Sequence, residues 1–406
     1  MLKLAHQYSA SPSCTLSHYM YHGVGIPRND DVFRIKRHNE RVGLRAFSCS
    51  FPFPPSDAGR RRWCFCRYDA PPPPMASSSL VRIAVVGDVH GLWNLEEDRM
   101  ALQLLQPHLV LFTGDFGEEN VPLVQSVSLL PFPKAVILGN HDAWYTHDLS
   151  RQQNGVQMQL DVLGDEHVGY RRLDFPSLKL SIVGGRPFSH GGDQLFRKKL
   201  LVRRYGVVDM DSSAGRICSA VQGTPDDHLV VILAHNGPTG LGSQAEDVCG
   251  KDWDGEGGDH GDPDLEQAIC QLKETTSLPI PLVVFGHMHK VLQSRKGSRK
   301  MVVEGSDKKT LYLNGAIVPR VKRTKVDDHC HDSLSGFMRN EKWKAAAESE
   351  GESTARAFTV VEILDGIVEK IAETWVHVDG SNARIVEEET LYLYRNVGGF
   401  QPGASV

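Results

Sequence analysis

The sequence lacks an apolar run of the roughly 18–20 residues that a membrane-spanning helix needs. This lack predicts a chain without a membrane partner. A disulfide framework is also missing, because the eight cysteines are scattered at irregular spacings. Their scatter argues against a small disulfide scaffold and favours a reducing compartment.

Acidic residues outnumber basic ones outside the N-terminal stretch. Residues 1–74 contain eleven Lys and Arg against five Asp and Glu, which leaves about −11 on the rest of a chain whose formal net charge is −5. An acidic body without interleaved aromatic and basic residues argues against nucleic acid as a partner. Two short basic runs, at 197–204 and 319–325, are expected to be solvated faces, with contact to an anionic substrate as the alternative.

Residues 1–78 have no sustained helical or strand period, contain few acids and several arginines, and end in APPPPMASSS. This composition is typical of organellar transit peptides. We therefore expect a transit peptide and a proline-rich linker over residues 1–78, and a folded domain over residues 79–400. A true start at Met75 is the alternative.

From Val81 onward, short apolar runs alternate with helical patterns. Asn94 followed by Glu97 predicts the start of a helix, which Pro107 ends, and a second helix is expected at 121–130. The two late runs that flank Asp365 and Gly366 predict a hairpin. The other predicted strands are 82–88, 109–117, 134–142, 178–185, 228–236, 281–289 and 310–316. This order predicts an α/β sandwich with sheet inside and helices outside.

Two segments interrupt this alternation and are expected to be insertions. Residues 242–264 are rich in Gly and Asp, but Pro263 stands where a calcium loop that starts at Asp252 needs Glu. The alternatives for this segment are an ordered loop at the rim of a site and a disordered insert. Residues 322–356 are polar and are expected to be solvated, and the DDHCHD run at 327–332 is expected to be a loop.

Each major strand of the body ends in a residue type that binds metals. One such histidine is usually structural, but five strand ends of this kind predict a shared site, because ligands gather beyond the carboxyl ends of parallel strands. Two divalent ions about 3.5–4 Å apart clamp a phosphate and lower the pKa of a shared water. Nitrogen and oxygen ligands without thiolate favour Mn, Fe or Zn over a Cys-based structural zinc site. The candidates are Asp88, His90, Asp115, Asn140, His141, His235, His287 and His289.

The ordered set GDVH…GD…GNHD…H…GHMH, over about residues 81–316, resembles the five-motif signature of the calcineurin-like metallophosphoesterase superfamily. The resemblance implies a four-layer α/β/β/α sandwich of two mixed sheets flanked by helices. It also implies a dinuclear metal-dependent phosphoesterase that hydrolyses a phosphate mono- or diester by attack of metal-bound hydroxide.

The resemblance further implies a role for each candidate. One metal would be held by Asp88, His90 and His289, and the other by Asn140, His235 and His287. Asp115 would bridge the two ions. His141 would act as a general acid or oxyanion stabiliser near the leaving-group oxygen.

The sequence departs from the protein Ser/Thr phosphatases of this superfamily. They continue GD with xxDRG, whereas this chain reads GDFGEEN, with Glu118 and Glu119 in place of the Asp and Arg. Since Glu119 cannot replace a phosphate-binding arginine, phosphoprotein phosphatase activity is not expected. Glu118 is expected to orient His141, with a solvated glutamate as the alternative. Arg186 is a candidate contact for the substrate phosphate, with a structural turn arginine as the alternative.

Several runs, among them WNLEED, LFTGDFGEEN and GGRPFS, resemble an uncharacterised branch found in cyanobacteria and plants. This resemblance favours the chloroplast stroma as the address of residues 1–78, and the cytoplasm if they are not a transit peptide. The expected partner is a small phosphorylated substrate. The alternative function is a non-catalytic metal-binding scaffold of the same fold that binds a ligand or partner, and a nuclease is a third, less favoured by the acidic body.

Overall fold

The computed structural model of the 406-residue chain describes residues 79–148, 154–253, 256–293, 297–324 and 353–394. The expected transit peptide and the DDHCHD run lie outside the described residues. Within these ranges, no helix is both long enough and apolar enough to cross a membrane.

The first sheet is mixed and has seven strands among the described residues. Its strands are β1 (Leu80–Val86), β2 (Leu109–Phe112), β3 (Lys134–Val136), β10 (Val321–Thr324), β11 (Ser353–Leu364), β12 (Ile367–Asp379) and β13 (Asn382–Leu393). Their order is β13-β12-β11-β1-β2-β3, and β10 pairs with the start of β11. β1, β2 and β3 are parallel, whereas β10 to β13 pair antiparallel.

The second sheet is also mixed, with six strands in the described part of the chain. They are β4 (Arg172–Phe175), β5 (Leu180–Gly184), β6 (Leu229–Leu233), β7 (Leu282–Phe285), β8 (Val302–Glu304) and β9 (Leu311–Asn314). The order is β4-β5-β6-β7-β9-β8, with a parallel centre and an antiparallel strand at each edge.

The two sheets pack face to face, because alternate residues of each strand point to opposite sides. Ile83 and Leu111 of the first sheet share one buried cluster with Ile182, Val231 and Val284 of the second. The opposite faces are covered by helices. These are α1 (Leu95–Leu105), α2 (Val121–Ser128), α3 (Gly155–Leu163), α4 (Lys198–Tyr205), α5 (Met210–Val221) and α6 (Pro263–Thr275). The predicted sandwich of two mixed sheets flanked by helices is confirmed.

Two local predictions differ in detail from the structure. Asn94 caps α1 as expected, but Asp98 rather than Glu97 accepts the Asn94 N–H in return. Glu97 instead pairs with Arg356 of β11, so a long-range ion pair replaces the local capping bond. The expected insertion over 322–356 is shorter at both ends, because β10 and the start of β11 pair as strands.

Candidate metal centre

Five strands deliver the candidate ligands to one place. β1 is followed by Asp88 and His90, and β2 by Asp115. The short strand β3 precedes Asn140 and His141, β6 precedes His235, and β7 precedes His287 and His289. All eight predicted residues meet at this edge, where the carboxyl ends of the parallel strands open into one cavity.

The first ligand group consists of Asp88, His90 and His289, whose donor atoms lie within 4.8 Å of one another. The Nε2 atoms of His90 and His289 are 3.0 Å apart, and His289 Nε2 is 3.5 Å from Asp88 Oδ2. Apart from this approach of His289, that Oδ2 atom is buried without a hydrogen-bond partner among the described residues. A buried carboxylate oxygen is costly to leave unpaired, so a cation among these three atoms fits the site.

The second group consists of Asp115, His235 and His287. Asn140 joins it, since its Oδ1 lies 3.0 Å from His235 Nε2. His235 Nδ1 is 2.7 Å from the carbonyl oxygen of Thr113. Because a carbonyl only accepts, Nδ1 carries a proton and Nε2 is the atom that faces the group, the orientation found in most metal-binding histidines.

Asp115 is common to both halves of the site. Its Oδ2 lies 3.9 Å from His90 Nε2, and its Oδ1 lies 3.4 Å from His235 Nε2. A further triad of His90, Asp115 and His141 links the two groups. One carboxylate thus presents an oxygen to each side, which is the arrangement that two neighbouring ions need.

The electrostatics of the cluster also favour cations. Burial alone would raise the pKa of the Asp115 carboxyl, but His235 and the other imidazoles lower it, so the group is ionised. Burial would lower the pKa of His235, but Asp115 and Asp88 outweigh it and raise that pKa to about 10. In the absence of an ion, His235 itself therefore carries the positive charge beside these carboxylates, and a bound ion would replace its Nε2 proton. Burial lowers the pKa of His287 well below its usual range, so this imidazole is neutral, the form that binds metals.

The backbone carries strain at the same place. Asp88, His90, Asp115 and His287 have φ values of 35°, 44°, 51° and 66°. This left-handed region costs a residue with a side chain about 1–2 kcal/mol. Such strain is typical of functional sites, where the surrounding structure holds it in place.

Two glycines of the predicted motifs are required because there is no room for a side chain at their positions. A Cβ atom on Gly139 would lie 2.3 Å from Asp115 Oδ1, and one on Gly286 would lie 2.2 Å from Asp88 Oδ1. Any larger residue at either position would displace a candidate ligand. The close approach of the backbone to these carboxylates therefore explains both glycines.

Asp142 is a site residue that the sequence analysis did not single out. Its buried carboxylate accepts backbone N–H bonds from Asp115, Phe116 and Gly139 at 2.8–2.9 Å. It thus ties the loop after β2 to the loop after β3. The only signal in the sequence is its position directly after Asn140 and His141.

His141 lies at the junction of the two groups. Its backbone N–H donates to Asp115 Oδ1 at 2.9 Å. Its ring stacks on Trp144 at 4.8 Å and meets the His90 ring edge-on at 5.1 Å. The imidazole is half-buried and lines the cavity, so it can reach a bound molecule.

The expectation that Glu118 orients His141 is wrong in this structure. Glu118 is exposed and accepts a hydrogen bond of 2.5 Å from the hydroxyl of Tyr145. Its neighbour Glu119 does the positioning instead. The Glu119 carboxylate accepts from the Tyr145 N–H at 2.6 Å and from Thr146 Oγ1 at 3.0 Å, which holds the segment that follows His141.

Arg186 is likewise not placed for substrate contact. Its guanidinium is 1% exposed and lies 2.9 Å from Asp262 and 3.0 Å from Asp264. It is absent from the residues that line the cavity. The alternative of a structural arginine is the one that the geometry supports, because both partners are buried carboxylates that need a cation.

The cavity over the ligand groups has a volume of about 1100 Å³. Residues 242–264, expected as a loop or insert, contribute much of its wall, and two histidines missed by the sequence analysis face it. The rings of His190 and His260 lie 6.0 and 5.9 Å from that of His287. His260 Nε2 donates to the carbonyl oxygen of His190 at 2.8 Å. Their only sequence signal is a place in glycine-rich segments.

Comparison of the chain with known protein families is consistent with this geometry. The chain matches the calcineurin-like phosphoesterase family over residues 81–291, more than half of its 406 residues. The chain belongs to this family. As a calcineurin-like phosphoesterase it is a metal-dependent phosphoesterase in the general sense, with candidate ligands in the groups described above. All eight predicted site residues lie inside the matched range. No curated protein matches the chain.

Similar solved structures have low sequence identity to this chain. A dimetal phosphatase from Danio rerio is 11% identical, with a TM-score of 0.39, and covers 77% of this chain and 99% of its own. An uncharacterised predicted phosphoesterase from Streptococcus pneumoniae is 11% identical, with a TM-score of 0.27 and the same coverages. A structure of PhoD is 9% identical, with a TM-score of 0.34, and covers 81% of this chain and 74% of its own.

Proposed function

We propose that this calcineurin-like phosphoesterase uses a dinuclear centre to hydrolyse a phosphate mono- or diester. The observation that carries the proposal is the position of Asp115, whose two oxygens face separate ligand groups. One ion is assigned to Asp88, His90 and His289. The other is assigned to Asn140, His235 and His287, with Asp115 shared between the two.

The residues present fit such a centre. Asp88 Oδ2 is buried without a hydrogen-bond partner in the described part of the chain, and His235 is held with its Nε2 atom toward Asn140 and Asp115. No thiolate lies in the three groups, so Mn, Fe or Zn suits the donors. Bound there, two divalent ions would supply an ionised water and positive charge against the phosphate.

Side chains of the protein itself would donate the proton and hold the site in position. His141 lies between the two ligand groups and faces the cavity, so its imidazole is placed to give a proton to the oxygen of the departing group. Trp144 stacks on the ring and fixes its orientation. Asp142 holds the loops that carry Asp115 and His141 in register.

The test uses the full chain loaded with Mn²⁺. Hydrolysis of p-nitrophenyl phosphate and of bis-p-nitrophenyl phosphate is measured beside Asp115→Asn as the blank. We expect hydrolysis of at least one ester well above the blank, and the ratio of the two rates assigns monoester or diester chemistry. Two bound ions with no hydrolysis of either ester would favour the non-catalytic scaffold, and no bound ion would refute the centre.

We further propose that residues 1–78 direct the protein to the chloroplast. Their arginine content and lack of periodicity support this proposal. A fusion of residues 1–78 to a fluorescent protein is expected to enter plastids in plant cells. A fusion that stays in the cytosol would refute it.

A further inference from the structure

The described tryptophans fall into two kinds. Trp375 is buried and Trp93 is half-buried, and each donates its indole N–H to a side chain, Glu373 Oε1 at 3.0 Å and Ser126 Oγ at 3.1 Å, respectively. Trp144 and Trp253 line the cavity, and neither indole N–H has a hydrogen-bond partner among the described residues. Both rings are exposed, so these N–H groups need no protein partner and are available to a ligand.

Both cavity tryptophans present a large apolar surface to solvent. Trp144 is 39% exposed and Trp253 is 49% exposed. Each is fixed from one side by a histidine of the site, Trp144 by stacking on His141 and Trp253 by an edge-on contact of 4.7 Å with His260. The rings are therefore anchored next to the two ligand groups, and their remaining surface faces the cavity.

A lysine lies near the two tryptophans in the cavity lining. Lys251, two residues before Trp253, is half-buried in the cavity lining, and its ammonium has no hydrogen bond or ion pair in the described part of the chain. Arg299 also lines the cavity, but it is occupied by the carbonyl oxygens of Ala245 and Gly250 and by Asp252. Lys251 is thus the lining cation that an anionic ligand can engage.

Resting on the proposed function, we propose that the substrate is a nucleotide. Its phosphate would lie at the two metal-ligand groups, and its base would stack on the indole surface of Trp144 or Trp253. The cavity volume of about 1100 Å³ accommodates a whole nucleotide with room to spare, whereas a single phosphate would leave it largely empty. Indole surfaces bind bases of any sequence, because every base has a flat π-face.

The test compares adenosine 5′-monophosphate with ribose 5-phosphate, which has the same phosphate ester but no base. Each is added to the Mn²⁺-loaded full chain as a competitor of p-nitrophenyl ester hydrolysis. Each is also tested for the rise in Tm that it causes, a readout that needs no turnover. Phenyl phosphate is the third competitor, because it offers an aromatic ring without a nucleoside.

We expect the nucleotide to bind more tightly than ribose 5-phosphate by roughly 5- to 150-fold, the range of one base–aromatic stack. Trp253→Ala or Trp144→Ala removes most of this preference, and the matching Phe variant keeps part of it. Tyr394→Ala removes an exposed aromatic ring directly after β13, outside the cavity lining, and leaves the preference unchanged.

Equal binding of the nucleotide and ribose 5-phosphate overturns the inference. It is also overturned if the preference survives in both alanine variants, or if phenyl phosphate competes as well as the nucleotide. Failure of the proposed function is distinguishable, because then no p-nitrophenyl ester is hydrolysed at all. In that case the Tm comparison still decides whether the base is recognised.

Discussion

Replacing Asp115 by asparagine keeps the shape of the side chain and removes its charge. The remaining amide oxygen can still accept the His141 N–H, which lies 2.9 Å from Asp115 Oδ1. The substitution therefore tests the shared carboxylate without breaking the loop. It is expected to abolish the binding of both ions, since each ligand group faces one oxygen of Asp115.

The loss of the bound ions is measured as a fall in the Mn²⁺-induced rise in Tm, the midpoint of thermal unfolding. An ion present at 100 times its Kd stabilises the folded state by about 2.7 kcal/mol. Unfolding entropy near 2.1 cal/mol/K per residue gives about 0.6 kcal/mol/K for a body of roughly 300 residues. Each ion is thus expected to raise Tm by about 4 °C, and two by about 8–9 °C.

Three variants separate the two ligand groups. His289→Ala removes a ligand of the first group and His287→Ala one of the second, so each is expected to halve the Mn²⁺-induced rise in Tm. Asp115→Asn is expected to remove the rise altogether. The metal-free Tm is expected to fall as well, because the buried pair of Asp115 and His235 is lost, so the Mn²⁺-induced rise and not Tm itself is compared.

A half-sized rise in Asp115→Asn would refute the reasoning, because it would mean that one ion binds without the shared carboxylate. An equal and complete loss in all three variants would also contradict it. That outcome would indicate one ion held by all the ligands together.

Three further predictions follow from the structure. His141→Ala is expected to lower kcat by about 100-fold or more while two ions remain bound, and loss of metal would contradict its assignment as a proton donor. The Arg197 guanidinium donates to the carbonyl oxygens of Ala143 and Trp144, in the segment that follows His141. Arg197→Met removes these bonds, so we expect a roughly tenfold fall in kcat at unchanged metal content. An unchanged kcat would show that the bonds are not needed to position His141. Burial lowers the pKa of His167 to about 3, so its stabilising contribution is complete above its unfolded pKa near 6.5 and is lost as the pH falls toward 3. Between pH 7 and pH 5, the wild type is expected to lose about 2 kcal/mol more of its free energy of urea unfolding than His167→Phe loses, and equal losses in both proteins would contradict the assignment.

The site was predictable because its signals are local. Each candidate ligand stands within a few residues of the end of a buried strand, and parallel strands bring their carboxyl ends to the same edge. The sequence order of GD, GNH and GHMH therefore predicts proximity without any knowledge of loop conformation. Gly139 and Gly286 add to the signal, since no side chain fits between the backbone and the carboxylates.

The errors concern residues whose partners are distant in sequence. Arg186 pairs with Asp264, 78 positions away, and no local pattern distinguishes such a buried pair from a phosphate contact. Glu118 and Glu119 are adjacent acids, yet only the second turns toward the backbone after His141, because it adopts a left-handed φ of 51°. The position of His260 in the cavity wall was equally hard to predict, since it lies in a glycine-rich loop that has no helical or strand periodicity.

In the proposed centre Asp115 joins two cation sites. Crystals of the full chain grown with Mn²⁺ and measured at the manganese absorption edge test it directly. We expect two anomalous peaks about 3.5–4 Å apart, one beside His90 and His289 and the other beside His235 and His287, each within bonding distance of an Asp115 oxygen. A single peak, or two peaks that do not share Asp115, would contradict it.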